Sequence, residues 1–302
     1  MRWWLTGVEG VPVSRGGWRF VWLDYDARFS EEMREQFIDN AFAAVDGTLP
    51  RRIRRSRRAE TWLQQISGGP SVYYKVLDAP QGLDALWRPL RRARAAHIAA
   101  ISLRLRRDGF DSAEVLLIGA EEIPSGREII ATERIEGMMV PRHVRAAGGE
   151  HRARKRAILH ALGSEIARLH HAGYIHGDLT PYNIFVTGFD PPRFSFIDHE
   201  RTRHTWRAHL ERQRLRNLVQ LGHANLKGLT DTDRMRVWCG YRALMPVKRS
   251  KSVLRRVVTM IQARIARDRM RAKSVGAVGP ERQRMSRDDV AIAAPTGEAR
   301  ER

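Results

Sequence analysis

"YIHGDLTPYNIFV" runs from Tyr174 to Val186, and "FSFIDHE" from Phe194 to Glu200. Each sets polar residues, some ionisable, beside a short apolar run that reads as a buried strand. A buried carboxylate is costly unless it is paired or holds a cation. Asp178, Asn183 and Asp198 at the mouths of such strands therefore need a reason. Asp178 and Asn183 stand five apart in a loop leading into "IFV", and Asp198 closes "FSFI" fifteen residues later. If the two apolar runs pair as a hairpin around "TGFDPP", the loop ends lie side by side and bring two carboxylates and an amide oxygen together.

All three are hard oxygen donors, which suit Mg²⁺ bridging phosphates better than zinc. A carboxylate not tied up by metal can orient or deprotonate a hydroxyl nucleophile. Together these are the parts needed for phosphoryl transfer from a nucleotide.

The rest of the chain sets bounds on this reading. At 302 residues it is long enough for two modest domains or one two-lobed unit, and 42% hydrophobic residues can supply a core. No run of eighteen apolar residues is present, so no transmembrane helix is expected. The start, "MRWWLTGVEGVP", lacks the apolar stretch of a signal peptide. Cys239 is the sole cysteine, which excludes an internal disulfide and a CxxC metal site and points to a reducing cytoplasm. The net charge is +20, and only six of the 54 Lys and Arg residues are Lys. Such a chain attracts polyanions: nucleic acid, anionic lipid headgroups or phosphorylated glycolipid. The charge clusters in "RRIRRSRR" (51–58), "WRPLRRAR" (87–94) and "KRSKSVLRRVV" (248–258). No nucleic-acid motif accompanies these clusters, so no specific nucleic-acid partner is expected.

Residues 1–45 read as an N-terminal extension. It holds a strand or hairpin, "SRGGWRFVWLDYD", then a helix capped by Ser30 with Glu31 and Glu32 in its first turn. "AETWLQQISGGPSVYYKVL" reads as two strands joined by "SGGP". "ALWRPLRRARAAHIAAISLRLRRDGF" reads mostly as helix, and "AEVLLIGAEEI" and "REIIATERI" as two more strands. From Glu150 the pattern turns helical, with Ile158, Leu162, Ile166 and Leu169 on one face before Gly173. The expectation is an α+β, two-lobed fold: a strand-rich lobe over 46–138 and a helical lobe over 139–272. The boundary falls near "EGMMVP" (136–141), and a disordered tail is expected over 273–302. The helix around 251–271 is basic and amphipathic, a candidate for a membrane surface or for packing.

"HGDLTPYN" is similar to the catalytic loop of the protein-kinase-like superfamily, and "IDHE" stands where its metal-binding D-F-G lies. "FIDHERTR" followed by "LRNLVQL" resembles the lipopolysaccharide kinase group (InaA and Kdo/WaaP) in particular. That resemblance covers roughly residues 50–245. It implies an ATP- and Mg²⁺-dependent kinase acting on a sugar hydroxyl of a lipopolysaccharide-type glycolipid. Such an enzyme would be cytoplasmic, peripheral at the inner face of the cytoplasmic membrane. By the same resemblance Asp178 would be the catalytic base, and Asn183 and Asp198 would hold Mg²⁺ on the nucleotide. Lys75, in "VYYKVL", would pair with the phosphates, backbone groups from Glu133 to Ile135 would bind adenine, and His176 would be structural.

Three features depart from the family pattern. No G-x-G-x-x-G precedes Lys75, so "RRSRRAE" would cover the phosphates through Arg side chains, Ser56 and amides. The helix "RRARAAHIAAISLRL" has no Glu for Lys75, with His97 as the nearest polar candidate. No A-P-E motif follows Asp198, which disfavours a peptide-docking protein kinase. The alternatives are an aminoglycoside-like phosphotransferase and a membrane-associated pseudokinase scaffold that binds nucleotide without turnover. His170 and His171 are read as the cationic finish of a helix, and Asp190 as a hairpin tip.

Overall fold

The computed structural model describes residues 9–23, 28–56, 58–79, 93–122, 126–145, 149–205, 210–224, 226, 228–245 and 250–276. The first half of the chain builds one antiparallel sheet of seven strands. These are β1 (Val11–Arg15), β2 (Trp18–Trp22), β3 (Arg52–Arg55), β4 (Ala59–Gln65), β5 (Ser71–Leu77), β7 (Val115–Glu121) and β8 (Glu128–Glu133). Their order is β1-β2-β7-β8-β5-β4-β3. β2 pairs with β7, so the strands from residues 11–22 lie in the same sheet as the strand that carries Lys75.

Strand alternation gives the sheet two apolar faces. On one, Trp22, Trp62, Val72, Tyr74 and Val76 pack against Phe37, Ile38, Ala41 and Ala44 of helix α1 (Glu31–Val45). The Ser30 hydroxyl accepts the Met33 N–H and starts that helix as expected. On the other face, Leu77, Ile118 and Ile130 meet Ala95, Ala96, Ile98 and Ala99 of α2 (Arg94–Arg107). The small residues of α2 let it lie close to the sheet. Lys75, two positions before Leu77, shares this face. The edge strand β3 is charged, and Arg52 and Arg55 pair with Glu60 of its neighbour; such an edge resists strand addition. The expected helical stretch over 85–92 and most of the expected tail (277–302) lie outside the described residues.

The second half is helical: α3 (Val140–Arg145), α4 (Gly149–His171), α5 (Leu210–Gly222), α6 (Asp231–Leu244) and α7 (Ser250–Gly276). α3 and α4 pack against a four-stranded sheet, β6-β12-β11-β9, from Asp111–Ser112, Pro192–Phe196, Ile184–Phe189 and Met138–Met139. A short pair, β10 (Tyr174–Ile175) with β13 (Arg203–His204), completes the strands. Ile158, Leu162, Ile166 and Leu169 of α4 face one core with Ile184, Phe196, Leu218 and Trp238. α4 and α6 touch backbone to backbone at two glycines. A Cβ on Gly163 would sit 2.0 Å from the Val237 carbonyl, and one on Gly240 2.0 Å from the His160 carbonyl.

Candidate active site

The apolar runs pair as expected. β11 and β12 form an antiparallel hairpin with Ile184 opposite Phe196 and Val186 opposite Phe194. This register sets Asn183 beside Asp198: the Ile197 N–H donates to the Asn183 carbonyl at 3.1 Å. A tight turn over Pro181–Asn183 then points Asn183 back into its own loop, where Nδ2 donates to the Asp178 carbonyl at 2.9 Å. With Nδ2 so occupied, the amide oxygen is the atom left for a cation. Among the described residues no hydrogen-bond or ion-pair partner occupies the Asp178 carboxylate. Asp198 adopts φ 66°, the left-handed region, as the one non-glycine residue with positive φ among those described. That region costs an ordinary residue roughly 1–2 kcal/mol.

Lys75 reaches across from the large sheet. Its Nζ donates to Asp198 Oδ1 at 2.8 Å and lies 4.0 Å from Glu200 Oε2. Burial alone would push the Asp198 carboxyl up; the Lys75 charge and hydrogen bond outweigh it and hold the group below its ordinary value. The anion that the family pattern sets on this helix, and that α2 lacks, thus comes from "IDHE" instead. α2 contributes Arg94, whose Nη1 lies 3.8 Å from Glu200 Oε1 and whose Nε lies 3.9 Å from Glu128. Glu128 is buried and also accepts the Ala95 N–H at 2.7 Å, which fixes the start of α2. The His97 ring donates from Nε2 to the Thr202 carbonyl at 3.0 Å.

A buried polar network locks the loop from behind. Gln220 Nε2 donates to the Gly177 carbonyl at 2.7 Å, and its Oε1 accepts the Leu179 N–H. Asn217 Oδ1 accepts the His176 N–H at 3.1 Å, while its Nδ2 donates to Gln220. The Thr202 hydroxyl donates to the His176 carbonyl. Gly177 has φ 76°, and a Cβ there would stand 2.3 Å from the Arg201 carbonyl. His176 is structural, as read from the sequence: its ring donates from Nε2 to the Ile197 carbonyl, and burial lowers its pKa despite Asp198 and Asp178 nearby. Burial and the neighbouring His176 push His199 down to about 3.

Two expectations are corrected. His170 is not a cationic helix finish: it is fully buried, its pKa is pushed down to about 3 by desolvation, and it bonds Tyr241 and Asn217. Ser56 spends its hydroxyl on its own turn, accepting the Ala59 N–H and donating to the Ala59 carbonyl, rather than facing a phosphate. In the stretch expected to meet adenine, the Glu133 and Arg134 N–H groups donate to Glu114 and Ser71. Among the described residues, Ile135 N–H makes no such bond. Glu200, Arg94, Asn217 and Gln220 were not assigned roles from the sequence. Glu200 left a signal as a second carboxylate two residues after Asp198, and Asn217 and Gln220 lie in the "LRNLVQL" stretch that carries the family resemblance.

A strand lysine facing a left-handed aspartate, beside an asparagine locked to a loop aspartate, is consistent with the protein-kinase-like class. The chain matches the lipopolysaccharide kinase (Kdo/WaaP) family over residues 56–241, well over half its length, and it belongs to that family. No curated protein matches the chain. Membership makes it a phosphotransferase of a family that acts on lipopolysaccharide. No helix among the described residues is long and apolar enough to cross a membrane.

Proposed function

We propose that the chain transfers the γ-phosphoryl group of ATP, with Mg²⁺, to a sugar hydroxyl of an anionic lipopolysaccharide-type glycolipid. The two halves of the fold would act as lobes around the nucleotide. The observation that carries this reading is the Lys75–Asp198 pair at 2.8 Å, set beside an Asn183 whose side chain is locked to the Asp178 loop. Mg²⁺ fits the donor set. Asp198 and Asn183 supply two hard oxygens. A cation that keeps water and phosphate ligands asks for no more than two protein groups. When bound, Mg²⁺ would neutralise phosphate charge. Lys75 would pair with phosphate oxygens, with Glu200 holding its ammonium in reach. Ile135 would offer its backbone N–H to the base. Asp178 would accept the hydrogen bond of the acceptor hydroxyl and align it for attack.

The test is labelled γ-phosphate transfer to a lipid A–core extract, by wild type and by Asp178→Asn. Loss of a positioned general base costs about 10²–10⁴-fold. Transfer that survives intact in Asp178→Asn would remove Asp178 from the mechanism. Nucleotide binding without transfer in either protein would favour a scaffold instead.

A further inference from the structure

Lys75 Nζ stands between two carboxylates: Asp198 Oδ1 at 2.8 Å and Glu200 Oε2 at 4.0 Å. One helical turn, His199–Arg201, sets the spacing of the two acids. The other oxygen of Glu200, Oε1, faces Arg94 Nη1 at 3.8 Å. A lysine from β5 and an arginine from α2 thus meet on one carboxylate from the second half of the chain. Arg94 is in turn held from behind. Its Nη2 donates to the Asp78 carbonyl, and its Nε lies 3.9 Å from Glu128 Oε1. Glu128 is buried, and its Oε2 accepts the Ala95 N–H at 2.7 Å, so both of its oxygens are engaged.

Helix stability does not explain Arg94. It is the first residue of α2, where the positive end of a helix disfavours a cation. No acid of α2 offsets it, since 94–107 contains neither Asp nor Glu. Neutralising Glu128 takes only the Nε edge of the guanidinium; the Nη1 tip faces Glu200. Asp198, meanwhile, cannot serve two cations at once. In the transfer reading, on which this inference rests, its oxygens go to Mg²⁺, and the Lys75 ammonium then needs a second anion. Among the described residues, Glu200 is the other carboxylate that pairs with Lys75. We propose that Arg94 is a positioning residue for phosphoryl transfer: it turns Glu200 towards Lys75, so that Lys75 keeps an anionic partner once Asp198 is engaged. Helix α2 then acts on the lysine through a cation and an intervening carboxylate, where the resemblance pointed to an acid of the helix in direct contact.

Acylation of Lys75 by an amine reagent, read by peptide mass spectrometry without nucleotide or metal, tests the relay. An amine held in ion pairs acylates slowly. Asp198→Asn stands in for an Asp198 whose charge is engaged elsewhere. In that background Arg94→Gln should speed acylation of Lys75 about threefold, as loss of a part-exposed ion pair does; with Asp198 intact the rate should change little. A merely structural Arg94 would raise the rate alike in both backgrounds. In labelled-phosphate transfer, Arg94→Gln should lower kcat at least about tenfold. Arg94→Lys, which keeps the charge without the planar fork, should lose less. Arg94→Gln combined with Glu200→Gln should fall no further than Glu200→Gln alone. Acylation that Arg94→Gln leaves unchanged in Asp198→Asn, a rise that is equal with Asp198 intact, or losses that multiply in the double variant would overturn the proposal. Acylation needs no turnover, so a wild type that transfers no phosphate would defeat the transfer reading while the relay is still read.

Discussion

Asp198 shows what a single residue gives up for a site. Its left-handed backbone is unfavourable for any side chain, and its carboxylate is held there by Lys75. Glycine adopts that conformation freely. Asp198→Gly and Asp198→Ala both lose the Lys75 pair, so the glycine variant should be the more stable of the two by ~1 kcal/mol, while phosphoryl transfer falls at least ~100-fold in each. A glycine variant that melts no higher than the alanine one would contradict the strain account. The carboxyl also has a defined pH window. Its folded pKa is below the ordinary 3.8, so its contribution is present above pH 3.8 and is lost only in stronger acid. Sensitivity nearer neutrality belongs to the buried histidines, His199 and His176 as well as His170. The folded pKa of His170 is about 3 against an ordinary 6.5, so between these values the unfolded chain binds a proton that the folded chain does not. Stability then falls as pH drops below 6.5, by ~1.4 kcal/mol per unit for this residue, and levels off near 3. Thermal melts from pH 7 to 4.5 should show a shallower decline for His170→Gln than for wild type; parallel curves would discount His170.

At the scale of elements, the loop that carries Asp178 is held by α5 as well as by its own turns. Gln220 satisfies the buried Gly177 carbonyl and Leu179 N–H, and a buried polar group left unpaired costs ~1–3 kcal/mol. Gln220→Ala should lower stability by roughly that amount and reduce transfer alongside it, as read by melting and labelled phosphate together. A stable variant with full transfer would show that α5 is dispensable to the loop. The partner helix α6 starts with a capping box at Thr230 and Asp233, and buried Asp233 pairs with Lys155 of α4 at 2.7 Å. This coupling and the glycine contacts join α4 to α6 more firmly than their sequence periodicity implies. The strands around Lys75 and the 184–196 hairpin were legible because alternation and turn residues are local signals. So was the placing of Asn183 beside Asp198, because the two flank one hairpin. The Lys75–Asp198 pair joins residues 123 apart, and the resemblance directed the search for its partner to the helix 94–107 instead. Glu200, Arg94 and Gln220 act through packing between elements, which no periodicity records.

Across the whole molecule the net charge of +20 far exceeds what the transfer site uses. α7 gives it a direction. Val253, Leu254, Val257 and Ile261 pack this helix onto the core, so it is a structural helix first. Yet Val258, Met260 and Met270 stay exposed on it, amid Lys251, Arg255, Arg256, Arg264 and Arg267. Apolar side chains among cations suit the surface of an anionic bilayer, where each Lys or Arg near the plane contributes ~1 kcal/mol. The full chain should therefore sediment with vesicles rich in phosphatidylglycerol and stay in solution with phosphatidylcholine alone. Raising salt from about 0.1 M to 0.5 M shortens the screening length to well under 10 Å and should release most of it. Val258→Glu with Met270→Glu changes exposed positions, so folding should survive while vesicle binding weakens at least ~tenfold. If that pair binds like wild type, the attraction is spread over the whole basic surface and α7 serves the core alone. A glycolipid acceptor would then be drawn to the protein by net charge, without a docking helix.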